Sequence, residues 1–459
     1  VKRWLAACVA AWASSLCAAE LSAHQAMTLE LYRELIGIRT VHPDGDNTAA
    51  ARAAARRLLE AGFDPADVEV LEPAPRKGNL VARLRGTGEL KPMLLLAHID
   101  VVEAKREDWS GDLDPFTLTE KDGFYYGRGT IDDKAQAAIF VANLARAKRE
   151  GWKPRRDVII ALTADEEGGT HNGVAWLLRN RREAIDAEFA LNEGGILRER
   201  DGRPAMQAVQ VSEKVPLTFE FAASNRGGHS SLPRRDNAIY DLAQALDRLG
   251  RFDFPVRMNY VARMLAAKSV GVEEGEMAAA LAALAAGQAS PEQVAIVSTS
   301  PSYNAQLRTT CVATRLEAGH AANALPQSAR AIVNCRLLPG EDPAFVHGEL
   351  QRLAGERVAV KPLHQARSSE ATDAQSPVMA TIARVSEAMW PGVPVVPIMS
   401  AGATDGSRLR NAGIPVYGVS GMAMDASRMH GRDERLAVPA FYQALEFLDR
   451  LVRELASGG

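Results

Sequence analysis

Two adjacent glutamates, Glu166 and Glu167, close the apolar run in ALTADEEGG (161–169). Placing two like charges together at the end of a buried segment is costly unless something offsets it. Other apolar runs end in the same way: LLLAHID in His98 and Asp100, and FALNEGG in Glu193. VYGVSGMAMDASRMHG reaches His430 after a loop, and GRGTIDDK puts Asp132 and Asp133 just before a helical stretch. Each cluster alone is weak, because HxD arises by chance, paired acids usually cap helices or sit in solvated turns, and Asp133 reads equally as a helix cap. Together they are informative, because functional groups in open α/β sheets collect beyond the carboxyl ends of strands. So many acids on one rim repel unless cations lie between them. Two imidazoles with several carboxylates suit Zn²⁺, with Co²⁺ or Mn²⁺ as alternatives.

The elements that must position these groups follow from the pattern. GNLVARLRG, PMLLLAHID, DVIIALTADEE and AEFALNEGG read as strands, with NTAAARAAARRLLEAG, DKAQAAIFVANLARAKREG and VAWLLRNRREAI as helices among them. Continuous apolar strands alternating with amphipathic helices imply an α/β sheet covered by helices on both faces. Near Ser212 the character changes. PLTFEFAAS, SYNAQLRTTCVATRLEAG and SARAIVNCRLLPG alternate, NAIYDLAQALDRLG and DPAFVHGELQRLAG are helical, and RVAVKPLH is a strand. The order β-α-β-β-α-β suits a small α+β layer, interrupted by an Ala-rich helical insertion from Gly275 to Gln288. The first pattern resumes near Arg367. The expected organisation is a discontinuous α/β catalytic domain (20–212 and 367–459) with a second domain, 213–366, inserted.

The 459 residues, 47% hydrophobic and 24% charged, are enough for real cores, and a net charge of −3 without basic blocks excludes nucleic acid as a main partner. Lys2 and Arg3 precede a short apolar segment that ends in small residues before Glu20, the layout of a signal peptide over 1–19. The expected location is therefore periplasmic or secreted, with no membrane association after cleavage. Of four cysteines, Cys8 and Cys17 leave with that segment. For Cys311 and Cys335, pairing in an oxidising compartment and two buried free thiols both fit.

In order along the chain, AHIDVV, YGRGTIDDK, TADEEGG, NEGG, RGGHSSLP and MHGRDERL resemble the di-zinc metallopeptidases that include acetylornithine deacetylase, succinyl-diaminopimelate desuccinylase, aminoacylase and glutamate carboxypeptidase. RTTCVATRLEAGHAANALPQSARAIVNCRLLPG is similar to the carboxypeptidase S-like branch, which holds secreted N-acyl-amino-acid hydrolases. The resemblance implies two Zn²⁺ per subunit bridged by Asp132, one also held by His98 and Glu193, the other by Glu167 and His430. It makes Asp100 the carboxylate that hydrogen-bonds the His98 imidazole, and Glu166 the general base. His229, otherwise readable as a turn histidine, becomes an oxyanion donor from the inserted domain, in many members supplied by the partner subunit. Asn323, Arg336, Gly402 and Thr404 fall at substrate-contacting positions, although Arg336 also reads as a strand-surface residue. His24, His42, His320, His347 and His364 lie outside the motifs and read as ordinary surface or packing residues. Some relatives carry Asp where NEGG places Glu193.

The resulting expectation is an exported hydrolase cleaving an amide next to a free-carboxylate amino acid, as a dipeptidase or carboxypeptidase on small peptides. The alternative is an N-acyl-amino-acid deacylase. The inserted domain, implied to serve as lid and dimerisation surface, predicts a homodimer. A non-catalytic binding protein would lack a ligand or the base, and neither is missing. The insertion carrying GGHSS argues against a di-zinc aminopeptidase.

Overall fold

The computed structural model describes residues 20–458; the expected signal peptide, 1–19, lies outside the described residues. Among those described, no helix is long and apolar enough to cross a membrane.

The apolar runs assemble into one nine-stranded mixed sheet. Its order is Val68–Leu71, Asn79–Leu84, Arg156–Thr163, Leu90–His98, Phe189–Asn192, Val416–Gly418, Arg203–Glu213 and Val395–Ser400, with Ile196–Arg200 paired to Arg203–Glu213. The four strands from Arg156–Thr163 to Val416–Gly418 run parallel to one another, so their carboxyl ends share a rim. Strand alternation sorts the side chains between two cores. Met93, Leu95 and Ala97 face the helices Ala23–Gly37, Asn47–Glu60, Lys134–Arg149, Pro377–Met389 and Val438–Ala456. Leu94 and Leu96 face the opposite side, against Val174 and Leu177 of Gly173–Asn180 and against Leu409. Helices therefore cover both faces, as the continuous apolar strands require.

Local signals set the ends of these helices. Asn47–Glu60 is capped by Asp46, whose carboxylate accepts from Ala49 N at 2.9 Å, and the chain leaves it through Gly62 at φ +91°. The cap is one residue earlier than the Asn/Thr pair suggested, and Asn47 is the first helical residue.

The second layer is a four-stranded antiparallel sheet in the order Thr310–Ala318, Ser328–Leu337, Val215–Ser224, Val358–Pro362. Phe219, Phe221 and Val333 pack under the helices Ala238–Gly250 and Pro343–Ala354, giving this layer its own core. Chain order around it is β-α-β-β-α-β. The helical insertion does not belong to this core. Tyr260–Ser269, Gly275–Ala285, Pro291–Ser298 and Pro301–Leu307 pack with Met206, Val396 and Ile398, and so cover the outermost strand of the main sheet. Cys311 lies directly opposite Cys335 and the two form a disulfide, which decides between the two readings of these cysteines.

Candidate metal centre

His98 is the last residue of its strand and pairs in register with Thr163, two residues before the Asp165–Glu167 turn. Glu193 follows Asn192, the end of the next parallel strand. Asp132 and His430 come from loops whose mutual position is fixed by one buried carboxylate. Glu434 Oε1 accepts from Gly129 N (3.0 Å) and Ile131 N (2.9 Å), while Oε2 meets Arg128 Nη1 at 2.6 Å. Arg128 in turn donates to the His430 carbonyl at 3.2 Å. This ties segments some three hundred residues apart. His430 and Asp165 hold left-handed backbone, φ +61° and +57°, which non-glycine residues adopt at a cost that surrounding contacts must cover.

The five expected ligands converge. Asp132 turns one oxygen to each histidine: Oδ1 lies 2.9 Å from His98 Nε2 and Oδ2 lies 3.1 Å from His430 Nε2. His430 Nε2 is also 2.9 Å from Glu167 Oε1, and His98 Nε2 is 3.8 Å from Glu193 Oε1. Ligands around a tetrahedral Zn²⁺ stand about 3.3 Å apart, given bond lengths near 2.0–2.1 Å. The observed separations scatter around that distance. Atoms from His98, Asp132 and Glu167 lie within 4.8 Å of one another, as do atoms from His98, Glu166 and Glu193. The donor set fits two divalent cations, whose charge would balance the carboxylates of Asp132, Glu166, Glu167 and Glu193.

Burial and mutual proximity shift the proton affinities of these groups. Burial alone would push the His98 imidazole down, but Glu193, Asp100 and Asp132 outweigh it and hold it well above its ordinary value. Hydrogen bonds donated to Asp132 and Glu167 carry His430 up to about 10. Burial raises Glu193 and Glu166 well above the usual carboxylate range, helped in both by neighbouring acids. Positive charge is needed here, as protons or as metal.

Asp100 makes a different contact from the one the resemblance implied. His98 Nδ1 meets the Asp100 backbone carbonyl at 3.0 Å, whereas the nearer carboxylate oxygen is 3.7 Å away. The carboxylate instead accepts from Glu166 N (3.1 Å) and Glu167 N (3.0 Å). Two residues beyond a strand end, the main-chain oxygen reaches the ring first, and two exposed backbone donors claim the side chain. Asp100 thus fixes the ring with its backbone, leaving Nε2 toward the cluster, and aims the glutamate pair with its side chain. Asp133 precedes the helix Lys134–Arg149, but its side chain makes no capping bond.

A cavity of about 1280 Å³ opens beside the cluster, lined by Glu166, Glu167 and His430. Arg336, Gly402 and Thr404 line it as well. Thr404 Oγ1 donates to Glu213 Oε2 at 2.9 Å, and Glu213 pairs with Arg410 at 3.0 Å. His364, read as an ordinary histidine, also lines the cavity, with Nε2 accepting from Thr218 N at 3.1 Å. His229 and Asn323 are placed elsewhere. They belong to an exposed two-stranded ribbon pairing Gly228–His229 with Ala324–Leu325, where Ser230 N donates to the Asn323 carbonyl. His229 Nδ1 lies 2.7 Å from Ser231 Oγ, and neither His229 nor Asn323 lines the cavity. Sequence reasoning missed Glu434. Glu434 stands inside MHGRDERL, so the motif holding His430 carried a signal for it.

The family profile described as Peptidase family M20/M25/M40 matches residues 94–454. The N-fatty-acyl-amino acid synthase/hydrolase PM20D1 of Xenopus tropicalis is 30% identical over 397 residues, covering 79% of this chain and 72% of its own. A probable carboxypeptidase S-like 2 of Dictyostelium discoideum is 29% identical over 405 residues, covering 82% and 74%. Among solved structures, the M20 family metallo-carboxypeptidase Sso-CP2 from Sulfolobus solfataricus superposes with a TM-score of 0.70 at 18% identity, over 94% of this chain and 99% of that one. With the matched span reaching from the His98 strand to the closing helix, the chain belongs to peptidase family M20/M25/M40, metal-dependent hydrolases of peptide or N-acyl amino acid bonds.

Proposed function

We propose that this chain is an exported di-zinc peptidase that cleaves a small peptide beside its free-carboxylate residue. The observation that carries the reading is Asp132, whose two oxygens each face a different histidine. Divalent cations held by His98, Asp132, Glu167, Glu193 and His430 would supply Lewis acidity and make water in the site a better nucleophile near neutral pH. Glu166, half-buried beside the ligands and with its backbone held by Asp100, takes a proton from the attacking water and passes it to the departing nitrogen. Arg336, which lines the same cavity from the small layer, takes the free carboxylate. Because His229 is exposed and away from its own cavity, it serves as the oxyanion donor of a partner subunit. Exposed Val312 and Leu316 on the edge strand, with Ile239 and Tyr240 on the adjacent helix, offer apolar surface for such a dimer. The disulfide supports export.

The second reading, an N-acyl-amino-acid deacylase, is favoured by the likeness to the Xenopus relative. Turnover of a panel of dipeptides and N-acyl amino acids, after chelation and reloading with Zn²⁺, Co²⁺ or Mn²⁺, decides between them. The dipeptidase reading expects acetylation of the substrate's amino group to slow cleavage, and the deacylase reading expects it to be required. Full activity after exhaustive chelation overturns both.

A further inference from the structure

The cavity is two-sided in charge, and the sides are not equally neutralised. Its acids are engaged: Glu167 with His430, Glu213 with Arg410 and Thr404, and Asp405 with Asn172 (2.7 Å) and Arg408 (3.0 Å). Glu166 alone is left for the proton. Of its cations only Arg408 is engaged, with Asp405. Arg179, Lys214, Arg336 and Arg367 line the same cavity, and among the described residues none has a carboxylate within 4.0 Å. Arg179 Nε donates to the Ala175 carbonyl and Arg336 Nε to Asn334 Oδ1, both neutral acceptors.

Lys214 is the least expected of the four. It is the single residue between the last strand of the first catalytic segment and the first strand of the small layer, Arg203–Glu213 and Val215–Ser224. It is 1% exposed, and Nζ donates to the Arg308 carbonyl (2.8 Å) and Thr310 Oγ1 (3.0 Å), with no anion beside it. Burial, and then the charge of Arg336, push its amine down to about 7. Burial likewise lowers the half-buried Arg336 guanidinium. Two desolvated cations that repel each other are destabilising unless an anion comes between them. A single α-carboxylate on Arg336 leaves Lys214 uncompensated. The cavity's few apolar side chains, Ala175, Leu178, Val215, Pro216 and Ala403, give a long alkyl chain little to pack against.

We propose that the amino-acid half of the substrate carries a second carboxylate, so that Lys214 and Arg336 share two anionic groups and the enzyme prefers amides of acidic amino acids. This rests on the hydrolytic reading above. Exposed Arg179 and Arg367 extend the positive field to the mouth and steer such substrates inward.

The test compares matched pairs that differ only in charge, glycyl-glutamate with glycyl-glutamine and N-acetylglutamate with N-acetylglutamine, on the metal-loaded enzyme. The expected kcat/KM ratio favours the acid by about tenfold or more, the range of one charge-assisted hydrogen bond. Lys214→Met should bring that ratio to within about twofold, since the same contact is lost. Should the buried substitution impair folding, the surface pair Arg179→Gln/Arg367→Gln is expected to lower the ratio and flatten its dependence on ionic strength. Glutarate and butyrate binding, followed by calorimetry, reads the same preference without turnover. Equal rates and equal binding within the pairs overturn the proposal while leaving the hydrolase intact. Failure to cleave any amide overturns the hydrolytic reading, and glutarate against butyrate still decides this one.

Discussion

The two walls of the cavity are held in different ways. On the metal-binding rim each side chain is fixed before any substrate arrives: Asp100 aims the glutamate pair, Glu434 locks two loops, and strand register sets His98 against the Asp165–Glu167 turn. On the wall from the small layer, Arg336 and Lys214 hold charge that the protein does not neutralise. The rim is preorganised for chemistry, whereas the other wall, in the proposal above, is completed by what it binds.

Substitutions should separate the two walls. Glu166→Gln is expected to cut kcat by about 10²–10⁴-fold with little change in KM, the usual worth of a general base, with metal content by elemental analysis near that of the wild type. His229→Ala should cost about 10²–10³ in kcat, as for loss of an oxyanion donor, with an unmoved melting temperature because the residue is exposed. Mixing His229→Ala with Glu166→Gln subunits should restore part of the activity if the donor crosses between protomers; no recovery, or a monomer by sedimentation, would separate the histidine from the partner's site. Arg336→Met should mainly raise KM, by about 10–100-fold, leaving kcat closer to normal.

The smallest effect is a pH dependence. Lys214 titrates near 7, far below an ordinary lysine, so its amine is charged below that pH and neutral above it. The preference for an acidic over an isosteric neutral substrate in kcat/KM should therefore be greatest below pH 7 and shrink severalfold as pH rises through it. A flat ratio between pH 6 and 8.5 would remove Lys214 from substrate recognition.

The sequence made the rim readable because its groups sit at strand ends, and strand ends are visible as the close of apolar runs. His98, Glu167 and Glu193 each follow such a run. The fold was legible for the same reason: Leu90–His98 and Arg156–Thr163 are continuous apolar segments that only a sheet covered on both faces can bury. What stayed hidden was pairing across long separations. Nothing near Arg128 announces Glu434, and Lys214 looks like any surface lysine until Arg308 and Thr310 close around it. The contact of Asp100 was misjudged because a spacing of two residues does not say whether carbonyl or carboxylate faces the ring. The Ala-rich insertion could be recognised as helical, but its docking on Met206 and Val396 depends on a sheet edge that only topology reveals.

If Arg336 and Lys214 select substrate as proposed, the disulfide couples the enzyme's surroundings to that selectivity. Cys311 and Cys335 each neighbour a residue of the charged wall, Thr310, which accepts from Lys214, and Arg336, and these two stand opposite each other in the strand pairing. Opening the bond would remove the one covalent link between these paired strands, beside Thr310 and Arg336 and far from the ligand-bearing strand ends. Protein made in a reducing cytosol should then turn over bound substrate normally while capturing it more weakly, so the host chosen for expression becomes an experimental variable in its own right.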